Sequence, residues 1–214
     1  MRAEGLLGVR AGAAAVAALL ILAGCGGSGE ESEAAPQIRV SPADLGEIVL
    51  PARDAPEGTA YIAERSGTLR VDELWPSDCC PSQQIAFEDA GFTDAYARVF
   101  QKPGHSGDPI DTRAGWELVS SAAVLFKTAQ GAAAAMDSWL GYYESPVLEA
   151  VATDGLGEEA VGVKGSPDAP AEVFFLYLWR IDRALMGLRV SAGAETISEK
   201  QVRELVDRMN SRIS

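Results

Sequence analysis

Basic side chains are scarce in this chain: 18 Lys and Arg stand against 31 Asp and Glu, a net charge of −13 over 214 residues. Phosphate backbones are bound by releasing counterions to Lys and Arg, so the balance excludes nucleic acid as a partner. Histidine is scarcer still, with His105 alone, and cysteine amounts to Cys25, Cys79 and Cys80. A disulfide-dense scaffold is thereby excluded, and no His/Cys cluster at metal-ligand spacing exists. Long apolar runs are missing too. The longest, Ala11 to Ala23, has thirteen residues, whereas a helix needs roughly 20 to cross a ~30 Å hydrocarbon core. What is present is a composition 47% hydrophobic and 23% charged, which excludes collagen-like and wholly disordered classes. The length fits one domain or two small ones.

The short apolar run has a meaning of its own. Arg2 and Arg10 precede it, and Gly24, Gly26, Gly27 and Gly29 follow. A positive n-region, a short h-region and a small-residue exit predict an export signal. The exit reads Leu22-Ala23-Gly24-Cys25, and these four residues resemble the lipobox of bacterial lipoproteins. The resemblance covers about the first 25 residues. It implies that the Cys25 thiol takes a diacylglycerol, that the Gly24–Cys25 bond is cut, and that lipidated Cys25 becomes the mature N-terminus. Two or more acyl chains give durable attachment at ~0.8 kcal/mol per buried CH₂, whereas one holds a protein only marginally.

The expected organisation is a signal peptide over 1–24, a lipidated Cys25 with a flexible acidic tether over 25–40, and one domain over 41–214. Loss of the signal removes Arg2, Arg10 and Glu4, leaving the remainder one unit more negative than the full chain. Anionic headgroups repel such a body, so the membrane partner is engaged through lipid and not through the domain surface. Gly, Ser and the glutamates 30, 31 and 33 make the tether an extended, flexible segment.

The folded part reads as helices around strands. Ser41-Pro42 suits an N-cap and N1, with Leu45, Ile48 and Val49 on one face and Pro51 as the stop. A strand is expected near Tyr61–Ala63, and a helical turn over 82–90 closed by Gly91. Phe92–Gln101 has strand character. Gly115–Phe126 alternates as a half-buried strand. Thr128 caps a helix whose stripe is Ala129, Ala132, Ala133, Met136, Trp139, Leu140 and Tyr143. Val173–Arg180 is apolar on both faces, as a central strand should be. The tight connection Ile181–Arg183 then leads into an antiparallel partner over Ala184–Ala192. Ser198 and Gln201 form a capping box for a last helix with Val202, Leu205, Val206, Met209 and Ile213 inside. Glu199–Arg203 and Glu204–Arg208 are its expected outer pairs. The fold class is α+β, an antiparallel sheet with packed helices.

Ala90-Gly91-Phe92, Val124–Lys127, Gly155–Ala160 and the terminal hairpin plus helix give the folded part a further likeness. It resembles the small extracytoplasmic α+β domains of actinobacterial lipoproteins and of kinase sensor domains there. The resemblance implies a binding or sensing module without catalysis. Those kinase sensor domains carry separated cysteines joined as disulfides, whereas this chain offers the adjacent pair.

Chemistry-bearing residues are few. His105 lies in Gly104-His105-Ser106-Gly107-Asp108. A Ser nucleophile with His105 as base and Asp108 as orienting acid needs a geometry that adjacent residues rarely reach, and no G-x-S-x-G elbow exists. The segment reads as a polar turn. With Cys25 lipidated, Cys79 and Cys80 have only each other. They form a vicinal disulfide that stiffens a loop, a pair of free thiols in a pocket, or a thiolate site for a soft metal, and the bridge is the favoured reading. Neighbouring Cα atoms are 3.8 Å apart, below the usual disulfide range. Asp154–Glu159 lacks EF-hand spacing and reads as a solvated turn. Trp116, Trp139, Tyr142, Tyr143, Tyr177 and Trp179 are core by periodicity, with a helix–sheet cavity able to borrow some of them. The sequence points to no metal and no cofactor. Its leading reading is a lipid-anchored extracytoplasmic binding or interaction module of the cell envelope whose partner is a ligand or an envelope protein. The alternatives are an envelope-acting enzyme, by hydrolase or thiol chemistry, and a purely structural envelope protein.

Overall fold

The computed structural model describes residues 39–103, 116–143, 148–166, 172–193 and 196–213. Among them the helices are α1 (Leu45–Ile48), α2 (Val71–Leu74), α3 (Pro81–Asp89), α4 (Ala129–Gly141) and α5 (Glu199–Asn210). The strands are β1 (Ala60–Tyr61), β2 (Gly67–Leu69), β3 (Phe92–Gln101), β4 (Trp116–Phe126), β5 (Leu148–Ala150), β6 (Glu159–Gly165), β7 (Glu172–Ile181) and β8 (Ala184–Gly193). They form one antiparallel sheet in the order β1-β3-β4-β8-β7-β6-β5, with β2 also paired to β3. The fold is α+β.

Sequence chemistry explains the element ends. The Ser41 N–H and hydroxyl both donate to the Asp44 carboxylate, at 2.8 and 2.6 Å, which starts the turn leading into α1. Gly91 takes φ +81° after α3, a conformation that favours glycine. The Gly131 N–H donates to the Thr128 hydroxyl at 3.0 Å at the start of α4. Ser198 and Gln201 form their reciprocal capping box before α5. Asp182, at φ +50°, turns β7 into β8, where Ile181 faces Ala184.

The sheet is covered on both faces, which changes two expectations. β4 is buried on both sides from Ser121 to Phe126, because it lies between β3 and β8 in the middle of the sheet. Half-burial therefore describes only Trp116–Ser120. In α4 the buried positions are Gly131, Ala132, Ala135, Met136 and Trp139, so the stripe is rotated away from Ala129 and Ala133.

One core layer joins Val40, α1 and α5 to the odd-numbered face of β4, including Val119, Ala123 and Leu125. The other places α3 and α4 over Ala122, Val124 and Phe126. The two faces follow from the side-chain period of two. On the first face Arg212 reaches the Asp54 carboxylate at 3.0 Å and the Glu47 carbonyl at 3.4 Å.

The outer pairs expected on α5 are not those observed. Arg203 pairs with Asp207 at 2.8 Å, and also donates to the carbonyls of Ala152 and Asp154. Five donors in a rigid fork let one Arg serve a carboxylate and a loop together. The acidic loop is thereby fastened to α5. Its far end is held by Arg180, which pairs with Glu158 at 2.7 Å and Glu159 at 3.3 Å.

Tyr177 lies fully buried in β7, and its hydroxyl has no hydrogen-bond partner. Burial, with Glu199 adding to it, pushes the phenol up to about 12. Removing an unpartnered buried hydroxyl is neutral to favourable, so Tyr177→Phe is expected to gain up to about 1 kcal/mol at neutral pH. An unfolded phenol ionises near 10, while the folded one keeps its proton to about 12. Wild-type stability therefore falls as pH rises between those values, by roughly 2–3 kcal/mol in all. The Tyr177→Phe advantage widens over that window. Denaturant unfolding of both proteins at about pH 9 and about pH 11.5 checks it, and a constant gap refutes the burial argument.

Candidate functional site

The site forms where small residues line up across the sheet. Ala97 of β3 pairs with Ala122 of β4, which pairs with Gly187 of β8. The next row on the same face is Val99, Ser120 and Arg189. Three residues with one side-chain carbon or none, side by side, cut a trough across three strands. Trp139 of α4 settles on the Gly187 end. A Cβ at Gly187 would stand 2.7 Å from the Trp139 ring, so only glycine lets α4 approach this closely.

Over the rest of the trough a groove of about 440 Å³ remains open, within the usual range for small-molecule sites. One wall is the end of α4, with Trp139, Tyr142 and Tyr143. The other is built by Leu69 of β2, Leu74 of α2, Trp75, and the turn carrying Cys79 and Cys80.

α2 is short but well started. Glu73 accepts the Arg70 backbone N–H at 2.8 Å, and the Arg70 guanidinium pairs with Asp72. Trp75 follows it and is buried edge-on against Phe87, Trp139 and Tyr142, with ring centroids 5.4, 5.7 and 5.4 Å away. Such T-shaped contacts add specificity beyond buried area. Pro76 starts a tight turn, since its carbonyl accepts the N–H groups of Cys79 and Cys80 at 3.2 and 2.8 Å. The sulfurs of Cys79 and Cys80 are joined. Cys80 is buried and precedes Pro81 at the start of α3, whereas Cys79 is exposed. Both line the groove.

The charge in the groove is arranged unevenly. Glu64, Arg65 and Glu73 stand exposed at the rim. Arg189 rises from the floor, half-buried, with its guanidinium carbon 5.4 Å from the centre of the Tyr143 ring, a cation–π distance. Burial pushes the Tyr143 phenol up, and the positive charge of Arg189 works against that shift. The lining is thus chiefly apolar and aromatic with one cation at its base. It suits holding a ligand better than moving protons, since acid–base chemistry needs convergent titratable groups near the reacting atom.

Of the residues singled out by sequence, Trp139, Tyr142 and Tyr143 come together here, with Cys79 and Cys80 across from them. Tyr177 and Trp179 belong to the opposite core layer, and Trp116 packs against it. Gly24, Cys25, His105, Ser106 and Asp108 lie outside the described residues. Among the described residues no three His, Cys, Asp or Glu are grouped to hold a metal, and no helix is long and apolar enough to cross a membrane.

Arg189 and the Ala97–Ala122–Gly187 row were not foreseen. The signal was an arginine on the small-residue side of an otherwise apolar strand, next to Gly187 and Ser191. Its meaning depends on the register that sets it beside Ser120.

No family model matches the chain, and no curated protein does. Among solved structures it is similar to the crystal structure of the extracellular domain of PknH from Mycobacterium tuberculosis. The TM-score is 0.50 at 12% identity, over 81% of this chain and 96% of that one. At that identity the two share a fold, and the fold is what the likeness establishes.

Proposed function

We propose that this chain is a lipid-anchored binding module of the bacterial cell envelope, held outside the cytoplasm by Cys25, with the groove beside α4 as its ligand site. The proposal gives the protein no catalytic step. The observation that carries it is the Ala97–Ala122 part of the trough, left open between the aromatic end of α4, which covers Gly187, and the α2 wall. The space is open to solvent and lined chiefly by apolar and aromatic side chains, the character of a small-molecule site. The export signal, the lipobox and a fold shared with an extracellular domain support the location.

The test uses N-phenyl-1-naphthylamine, an uncharged aromatic probe, followed by quenching of Trp75 and Trp139 emission. Saturable binding is expected. Ser120 is half-buried on the groove floor, so Ser120→Phe projects a ring into the space and should weaken the probe by about tenfold or more, the loss of a buried aromatic body's contact. Circular dichroism unchanged from wild type confirms that the variant is folded. Absence of saturable binding by any aromatic probe, or equal binding by folded Ser120→Phe, overturns the groove as a ligand site.

A further inference from the structure

We infer that the groove selects an organic anion, with an apolar or aromatic body along the Ala97–Ala122 trough and a single acidic head on Arg189. This rests on the groove being the ligand site and adds the class of ligand. Strand periodicity puts Arg189 on the groove side of β8 with Leu185 and Gly187, while Met186, Leu188 and Val190 face the other core layer. Among the described residues it is the one basic side chain that β3, β4 and β8 direct to that side.

Its local partners leave it incomplete. The Nε atom is buried without a hydrogen-bond partner. No carboxylate pairs with the guanidinium among the described residues, where the ion pairs involve Arg70, Arg180, Arg203 and Arg212. Tyr143 fixes the position of the group from one side but carries no formal charge to neutralise it.

A half-buried cation without a counterion is costly, and the arrangement persists because the surrounding packing holds it. A planar fork held against a ring is preorganised for a carboxylate, sulfonate or phosphate oxygen pair. The Ser120 hydroxyl, directly across the strand pair, stands next to it as a further donor. At the rim the exposed carboxylates Glu64 and Glu73 outnumber the one cation, Arg65, which disfavours a ligand with more negative charge. One acidic head is the charge that fits.

The test compares two probes with the same aromatic body: 8-anilino-1-naphthalenesulfonate and uncharged N-phenyl-1-naphthylamine. Arg189→Met keeps much of the side-chain volume and removes the charge. It should weaken the sulfonate at least about tenfold, the loss of one charge-assisted contact, and leave the uncharged probe within about twofold. Arg189→Lys keeps a charge without the fork and should fall between the two proteins.

Equal weakening of both probes by Arg189→Met, no weakening of either, or wild type binding only the uncharged probe overturns the anion assignment. Each of those results leaves the groove reading standing, whereas binding of neither probe ends both. Displacement of bound sulfonate by decanoate marks an acyl body and by 2-naphthoate an aromatic one. Either result supports the assignment, and displacement by neither acid overturns it.

Discussion

Trp139→Ala is expected to lower stability by about 3–5 kcal/mol, the usual cost of truncating a buried indole. Three observations set the size. The side chain is 7% exposed. It packs edge-on against Trp75 and Phe87, with centroids 5.7 and 5.9 Å away. It covers Gly187, where a Cβ would stand 2.7 Å from the ring. For a domain of this length the loss corresponds to a melting temperature lower by roughly 10 °C or more. The groove also loses a wall, so affinity for an aromatic probe should fall with stability.

Gly187→Ala separates that contact from general damage. In wild type the added methyl has no room, and overpacking should cost about 1–3 kcal/mol. In the Trp139→Ala background the same methyl enters the space left by the indole, and its cost should vanish or change sign. Non-additivity of that kind marks residues in direct contact. Additive costs in thermal or denaturant unfolding would falsify the close approach of α4 to β8.

Cys25→Ala is expected to abolish lipid attachment altogether. The proposed thioether carries two acyl chains, and each buried CH₂ contributes ~0.8 kcal/mol. An acidic domain, at −13 for the whole chain, supplies no electrostatic attraction to anionic headgroups in their place. The variant should take up no palmitate label, keep its leader, and leave the detergent phase on partitioning in a cloud-point detergent. Double replacement of Cys79 and Cys80 by serine should leave all three readouts at wild-type values. Label retained by Cys25→Ala, or absent from wild type, removes the anchor from the proposal.

Much of the architecture could be read before any coordinates. The two helix caps at Thr128 and Ser198, the stop at Gly91 and the β7–β8 hairpin depend on local chemistry, which is written within a few residues. β3 begins and ends where its composition says. The failures arose where neighbours distant in sequence decide. β4 alternates in a way that suggests one wet face, yet α3 and α4 cover one side while α1 and Val40 cover the other. Arg203 has Glu199 four residues before it, but the Ala152 and Asp154 carbonyls and Asp207 hold it instead.

The site was half legible for the same reason. Trp139, Tyr142 and Tyr143 announce an aromatic helix end that reads first as core, with a cavity beside it as the lesser reading. The floor was hidden, because Ala97, Ala122 and Gly187 become neighbours only through strand register. Arg189 stands on the small-residue side of β8, but the face of the sheet that side serves follows only from its register with Ser120.

Arg212, holding Asp54 and the Glu47 carbonyl, joins the earliest part of the domain to its latest. Val40, α1 and α5 share one core layer with the sheet, so the cover over that face stays incomplete until the final helix has been synthesised. The first core layer therefore closes only after the described domain has been made through α5. On the proposed export route, late closure of this layer would keep the chain fit for translocation and leave assembly of the domain to the far side of the membrane.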